Sequence, residues 1–207
     1  MKMSIKNVIA TAALGLWLLV PAVASALTPI DLLGRLEQVA QSGSVRAPAA
    51  GEIEVAFSPN QGAEALVLKT IGAARTELRV MAYSFTSSPV TAALIAAKKR
   101  GVDVQVVVDY RNNVSEDRSG KAKAALSALV TAGVQVRTID RYAIHHDKVV
   151  IADKLHTETG SFNFSAAAAK SNSENVMVVW NNPRVAEAYL EHWSSRWRQG
   201  TEWRMPY

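Results

Sequence analysis

From Glu52 onward, short apolar runs alternate with amphipathic stretches, and each junction carries a turn or cap signal. Ile53 to Phe57 alternates with a period of two and predicts a strand, while Ala63 to Ala74 carries apolar residues at helical spacing. Glu77 to Ser84 puts Leu78, Val80 and Ala82 on one face of a second strand. Ser88-Pro89 caps a helix that runs to Arg100 and stops at Gly101, and Val102 to Asp109 is apolar enough for a buried strand. A helix over Ser119 to Ala132, ended by Gly133, precedes a strand from Val134 to Ile139. This order predicts an α/β fold with a mixed, largely parallel β-sheet sandwiched between α-helices.

The alternation stops at Ile144. Ile144 to Ala152 reads as one strand, Asp153-Lys154 as a tight turn and Leu155 to Thr159 as a second strand. Gly160 opens a turn that carries Ser161 and Asn163. A strand from Glu174 to Trp180 and a helix from Pro183 to Gln199 close the pattern. Tyr189, Trp193 and Trp197 recur at helical spacing on that helix and point to the core or to a dimer contact.

The first residues follow different rules. Lys2 and Lys6 precede an apolar stretch from Val8 to Val20, and small residues stand at Ala24 and Ala26, the order of a secretory signal cleaved near Ala26. The run is shorter than the roughly 20 apolar residues that span a bilayer. The expected organisation is a signal peptide over 1–26, a leader helix and linker over 27–51, and a catalytic domain over 52–207. Within the leader, Thr28-Pro29 opens an amphipathic stretch from Ile30 to Gln41. The processed protein is then expected in the periplasm or outside the cell, with no stable membrane association.

The chain has no cysteine, so neither disulfides nor thiolate metal sites are available, and stability must come from a packed core. Loss of Lys2 and Lys6 lowers the formal charge from +5 to +3. That mild basic excess suits a polyanionic partner without requiring one.

The densest chemistry lies in HHDKVVIADKLHTETGSFNFS, residues 145 to 165. Alternation along a strand sends His146 and Lys148 one way and His145 and Asp147 the other. Ser161 and Asn163 share a side if their turn is extended, with Phe162 and Phe164 facing the core. By the same parity Asp153 points away from His146 and Lys148, which suits a turn stabiliser. A phosphodiester carries negative charge that repels nucleophiles, so its cleavage needs cations and donors at the non-bridging oxygens. Lys148, Asn163 and Ser161 supply these groups. A neutral imidazole can attack phosphorus when its other nitrogen holds the proton, and Glu174, the acid of the following strand, is the expected partner that fixes that tautomer. With a lysine sharing the face of His146, no metal and no cofactor is expected.

The spacing H-x-K-x(4)-D-x(6)-G-S-x-N, read from His146 through Lys148, Asp153 and Gly160 to Asn163, resembles the signature of the phospholipase D (HKD) superfamily. Asn172 to Asn175 and Glu191 to Trp197 resemble its single-motif bacterial endonuclease branch, often called Nuc, and the likeness extends over about Glu52 to Gln199. What the resemblance implies is a two-step reaction in which one histidine forms a phosphohistidine and a second protonates the leaving oxygen, then activates water. Members with this reaction bring two copies of the motif together, and this chain has one. The resemblance therefore implies a C2 homodimer in which His146 of each copy meets across the axis.

The expected function is that of a secreted phosphodiesterase or endonuclease acting on DNA, with RNA as a further candidate substrate, and with little sequence preference. Contacts to phosphates would carry no base information. Two alternatives stand beside it: a phospholipase D acting on lipid head groups, and a non-catalytic nucleic-acid-binding protein that keeps the fold alone. The segment after the strand ending at Asp109 offers Arg111, Arg118, Lys121 and Lys123 as candidate contacts to a nucleic-acid backbone. Lys98, Lys99 and Arg100 are explained by the dipole at a helix C-terminus. His145, His156 and His192 read as structural or surface histidines.

Overall fold

The computed structural model describes residues 47–205. In chain order these form β1 (Glu52–Ser58), α1 (Ala63–Ala73), β2 (Glu77–Ala82), α2 (Ser88–Lys99), β3 (Asp103–Asp109), a π-helical turn (Arg111–Ser115), α3 (Lys121–Thr131), β4 (Gln135–Ile139), β5 (Lys148–Ala152), β6 (His156–Gly160), α4 (Ala166–Lys170), β7 (Glu174–Trp180), α5 (Pro183–Gln199) and β8 (Thr201–Glu202). The expected signal peptide and the leader helix fall outside the described residues. Among the described residues, no helix is long and apolar enough to cross a membrane.

The strands make one mixed sheet in the order β1-β7-β6-β5-β2-β3-β4-β8, flanked by helices. Its parallel part is smaller than the alternation of elements implies: β2–β3 and β3–β4 are parallel, and the remaining pairings are antiparallel. The cause is the short connection after β5. Three residues cannot make the crossover that a parallel neighbour needs, so β6 folds back beside β5. β1 then pairs with β7 at the far edge, not with β2.

Leu78, Val80 and Ala82 on β2 and Val104, Val106 and Val108 on β3 face one core with Leu66, Val67 and Ile71 of α1. Met81, Val107, Val149 and Ile151 face the other core, against Ala186 and Trp193 of α5. Trp193 donates its indole N–H to the Val80 carbonyl at 3.2 Å and stacks on Trp197 at 5.1 Å, so these tryptophans are core residues. The helix starts follow their sequence signals. Ser87 accepts from Val90 N at 3.3 Å and Asn182 from Val185 N at 3.1 Å, each ahead of a proline in the first turn. Gly51 is required where β1 begins, because a Cβ there would lie 1.8 Å from the Trp180 carbonyl oxygen.

The β5–β6 turn shows why an aspartate occupies its first position. Asp153 and Lys154 have φ of 57° and 56°, a left-handed pair at the centre of the turn that the Leu155 N–H closes by donating to the Ala152 carbonyl at 3.0 Å. The Asp153 carboxylate accepts from Arg75 N, Thr76 N and Thr76 Oγ1 at 2.8 Å and from Glu77 N at 3.0 Å. Burial pushes this carboxyl up, but the backbone amides outweigh it and hold it below its ordinary value. Asp153 thereby ties the hairpin to the start of β2 and sets the register that places Lys148 opposite Ala82. Asp153→Ala is expected to cost about 2 kcal/mol in urea unfolding while turnover per folded molecule is unchanged. A full loss of turnover in folded protein would assign this carboxylate a chemical role instead.

Candidate active site

The motif residues gather at the end of the sheet where β2 and β3 finish and β5 begins. The strand expected from Ile144 starts only at Lys148, because the His145 N–H leaves the ladder and donates to the Asp109 carboxylate at 2.9 Å. The expected division of faces survives. His146 and Lys148 both meet the ring of Tyr83, and His145 and Asp147 meet each other on the other side.

Lys148 is 5% exposed, and its ammonium is held by two groups: it lies 5.4 Å from the Tyr83 ring and donates to the His146 carbonyl at 2.8 Å. Burial pushes the amine below its ordinary value, while the charges of Asp147 and Glu174 oppose that shift. The His146 ring is exposed beside them, with no hydrogen bond to a described residue, and is open to an incoming group.

Beyond β6, Phe162 and Phe164 are fully buried, as their alternation predicts, and the Phe164 carbonyl accepts from Thr86 N and Ser87 N at 2.8 Å. Those bonds fasten the turn around Asn163. The Oδ1 atom of Asn163 is buried without a hydrogen-bond partner among the described residues. Gly160 is a steric requirement, since a Cβ would lie 2.2 Å from the Asn175 carbonyl oxygen.

Two residues expected at the site, Ser161 and Glu174, are hydrogen-bonded to each other within the chain. Ser161 was expected to donate to substrate, but its hydroxyl has one proton and gives it to Glu174 at 2.6 Å, while accepting from Asn175 N at 3.1 Å. Ser161 therefore binds the exit of β6 to the start of β7. Glu174 was expected to hold the imidazole proton, but its carboxylate takes Ser161 and, at 2.9 Å, Asn172 Nδ2. Its reach toward the motif is electrostatic, through Lys148.

His145 is 2% exposed, and its Nδ1 lies 3.2 Å from Asp147 Oδ2, which also meets His192 Nε2 at 3.3 Å. Burial pushes the Asp147 carboxyl up, but the hydrogen bond and charge of His145, with those of His192, hold it down at about 2. The adjacent histidine of the motif is thus an anchor, and His192 fastens that anchor to α5. Asp147, His192, Asp109 and Tyr83 escape a reading of the motif alone. The position of Asp109 at the carboxyl end of a parallel strand was the available signal.

The basic segment is less concentrated. The Arg111 guanidinium pairs with Glu116 at 2.7 Å in an exposed bridge, Arg118 is exposed, Lys121 lines an open cleft beside Ser88 and Ser165, and Lys123 is half-buried on α3. None of the four is hydrogen-bonded to the motif side chains. His156 packs on Trp180 and accepts from Asn181 N at 3.0 Å, a structural arrangement. Among the described residues, no cluster of His, Asp and Glu is placed to hold a metal ion.

The mixed sheet between helices, with an exposed histidine and a buried lysine at its end, is the architecture of the phospholipase D class of phosphodiesterases. Residues 67–197 match the family described as "Cardiolipin synthase, PLD-like domain", and the chain belongs to the phospholipase D superfamily. It is 48% identical to the solved structure of a phospholipase D family member, Nuc from Salmonella typhimurium, with a TM-score of 0.71 over 74% of this chain and 98% of that one. It is 38% identical to phospholipase D of Rickettsia bellii, over 70% of this chain and 69% of the relative. Mitochondrial cardiolipin hydrolase of Homo sapiens is 31% identical over 64% of this chain and 50% of its own length.

Proposed function

We propose that this protein is an exported, dimeric endonuclease that cleaves DNA without a metal ion, with RNA as a further candidate substrate. The observation that carries this reading is the pairing of an exposed His146 ring with a buried Lys148 ammonium, present once per chain. The His146 imidazole attacks phosphorus, a P–N bond forms, and the P–O bond to the leaving strand breaks. His146 of the second copy gives its proton to the leaving oxygen and then takes one from water, whose attack releases the phosphate and restores the first ring. Lys148 neutralises a non-bridging oxygen, and the Asn163 amide donates to the same phosphate. Arg111, Arg118, Lys121 and Lys123 are the candidate contacts along the strand.

The second copy needs a surface to pair on. Ile53, Val55 and Phe57 alternate onto one face of edge strand β1 and are 65%, 56% and 48% exposed, and Met177 lies opposite Val55 on β7. A contiguous apolar face of this kind on a sheet edge marks an interaction surface, and pairing of two copies is the use that completes the site.

Lipid diester hydrolysis is the second reading, which the names phospholipase D and cardiolipin hydrolase among the relatives favour. One assay separates them: processed protein is incubated in EDTA with plasmid DNA, with RNA, and with phosphatidylcholine or cardiolipin vesicles. The expected result is nicking of plasmid in EDTA that weakens steeply as salt rises, with no release of lipid head groups. Loss of all cleavage in EDTA with recovery on adding one divalent ion overturns the metal-free mechanism, and preferential turnover of vesicles replaces the nuclease reading with the lipid one.

A further inference from the structure

Tyr83 lies in the turn that leaves β2 and has no part in the chemistry above. Its ring centroid is 4.8 Å from that of the His146 imidazole, with the planes tilted at 56°, and the Lys148 ammonium is 5.4 Å from the same ring. One aromatic side chain touches both groups. Its placement is set from behind by Asn113, a fully buried residue of the π-helical turn after β3. The Asn113 amide donates to the Tyr83 carbonyl at 2.6 Å and to the Asp109 carbonyl at 2.8 Å, and its oxygen accepts from Phe85 N at 2.8 Å. Asp109 in turn holds the His145 N–H. The exit of β3 therefore fixes both the ring and the chain that carries His146.

We infer that Tyr83 is a positioning residue for the reaction: its ring restricts the orientation of the His146 imidazole and stabilises Lys148 as an ammonium over an aromatic surface. An exposed imidazole without a hydrogen bond can turn among rotamers, and attack proceeds only from those aimed at phosphorus. Contact with a fixed ring removes part of that freedom. The negative face of an aromatic ring also attracts a cation, most strongly where water is excluded. Lys148 is such a cation, since it is buried and burial works against its charge. The inference rests on the reading of His146 as nucleophile and Lys148 as phosphate clamp.

The test is the pH profile of kcat and KM on bis(p-nitrophenyl) phosphate for the processed parent protein, Tyr83→Phe, Tyr83→Leu and His146→Ala. Tyr83→Phe keeps the ring and is expected to remain within about threefold of the parent. Tyr83→Leu is expected to lose about 30-fold in kcat with KM within about twofold, the pattern for an effect on the reacting step and not on binding. Its alkaline limb moves to lower pH, because Lys148 without the aromatic face beside it gives up its proton sooner. If Tyr83→Leu unfolds below the assay temperature, Tyr83→Met fills the space in its place with the same expectation. A leucine or methionine variant with the parent's kcat and alkaline limb overturns the inference. So does a phenylalanine variant that falls as far as leucine, which would assign the effect to the hydroxyl. His146→Ala separates the two levels: if it keeps turnover, the underlying site is wrong, whereas an inactive His146→Ala beside a fully active Tyr83→Leu removes only the role of Tyr83.

Discussion

Replacing His146 with alanine is expected to lower diester turnover by about 10⁴-fold or more, because the proposed step that forms the P–N bond then has no nucleophile. Stability is expected to stay near that of the parent, since the ring is exposed and makes no hydrogen bond to a described residue. The dimer offers a sharper measurement. If each reactive centre uses His146 from both copies, a mixed dimer with one alanine is as inactive as the double variant. Parent and variant chains, unfolded together and refolded at different ratios, then give activity that falls as the square of the parent fraction. A linear fall would mean that each chain works alone, and the proposed two-chain centre would be wrong.

The second large effect concerns stability. Glu158 on β6 is fully buried, opposite Val150 on β5 and Val178 on β7, and neither carboxyl oxygen has a hydrogen-bond partner among the described residues. Burial pushes this acid from 4.5 up to about 8. Its folded-state value therefore lies above its unfolded value, and the folded protein binds the proton more tightly. Stability from this group is complete below about pH 4.5, falls as pH rises, and reaches its floor above about pH 8. At pH 7 the cost is about 3 kcal/mol by linkage. Glu158→Gln cannot ionise. It is expected to match the parent in urea unfolding at pH 4.5 and to exceed it by about 4 kcal/mol at pH 8. A difference between the two proteins that does not change with pH would show that Glu158 does not titrate in this window. Asp147 acts at the opposite end of the scale: held at about 2, it contributes stability above its unfolded value, lost only as pH falls toward that number.

Much of this arrangement can be read from local pattern. The bounds of β7 and α5 coincide with the expected ones because an acid and an asparagine cap mark their starts, and their apolar periods are unbroken. Buried Phe162 and Phe164 follow from alternation through the G-S-x-N turn. Partners distant in sequence are another matter. Nothing in Ile53 to Phe57 states that it will pair with β7, and the early end of the ladder before Lys148 depends on a carboxylate 36 residues upstream. The proton of Ser161 goes to Glu174 because two strands bring them together, and the approach of Tyr83 to His146 depends on Asn113 across a third. Residue types in the motif disclose which reagents are available. Their hydrogen-bond assignments emerge only once the sheet is assembled.

The bond from the Lys148 ammonium to the His146 carbonyl makes that lysine a brace as well as a charge. Any variant that shortens or neutralises it releases the peptide carrying the imidazole at the same moment that it removes the proposed counter-ion of the phosphate. Rate losses in such variants are composites, and a soluble amine supplied in their place restores the counter-ion and leaves the backbone unsupported.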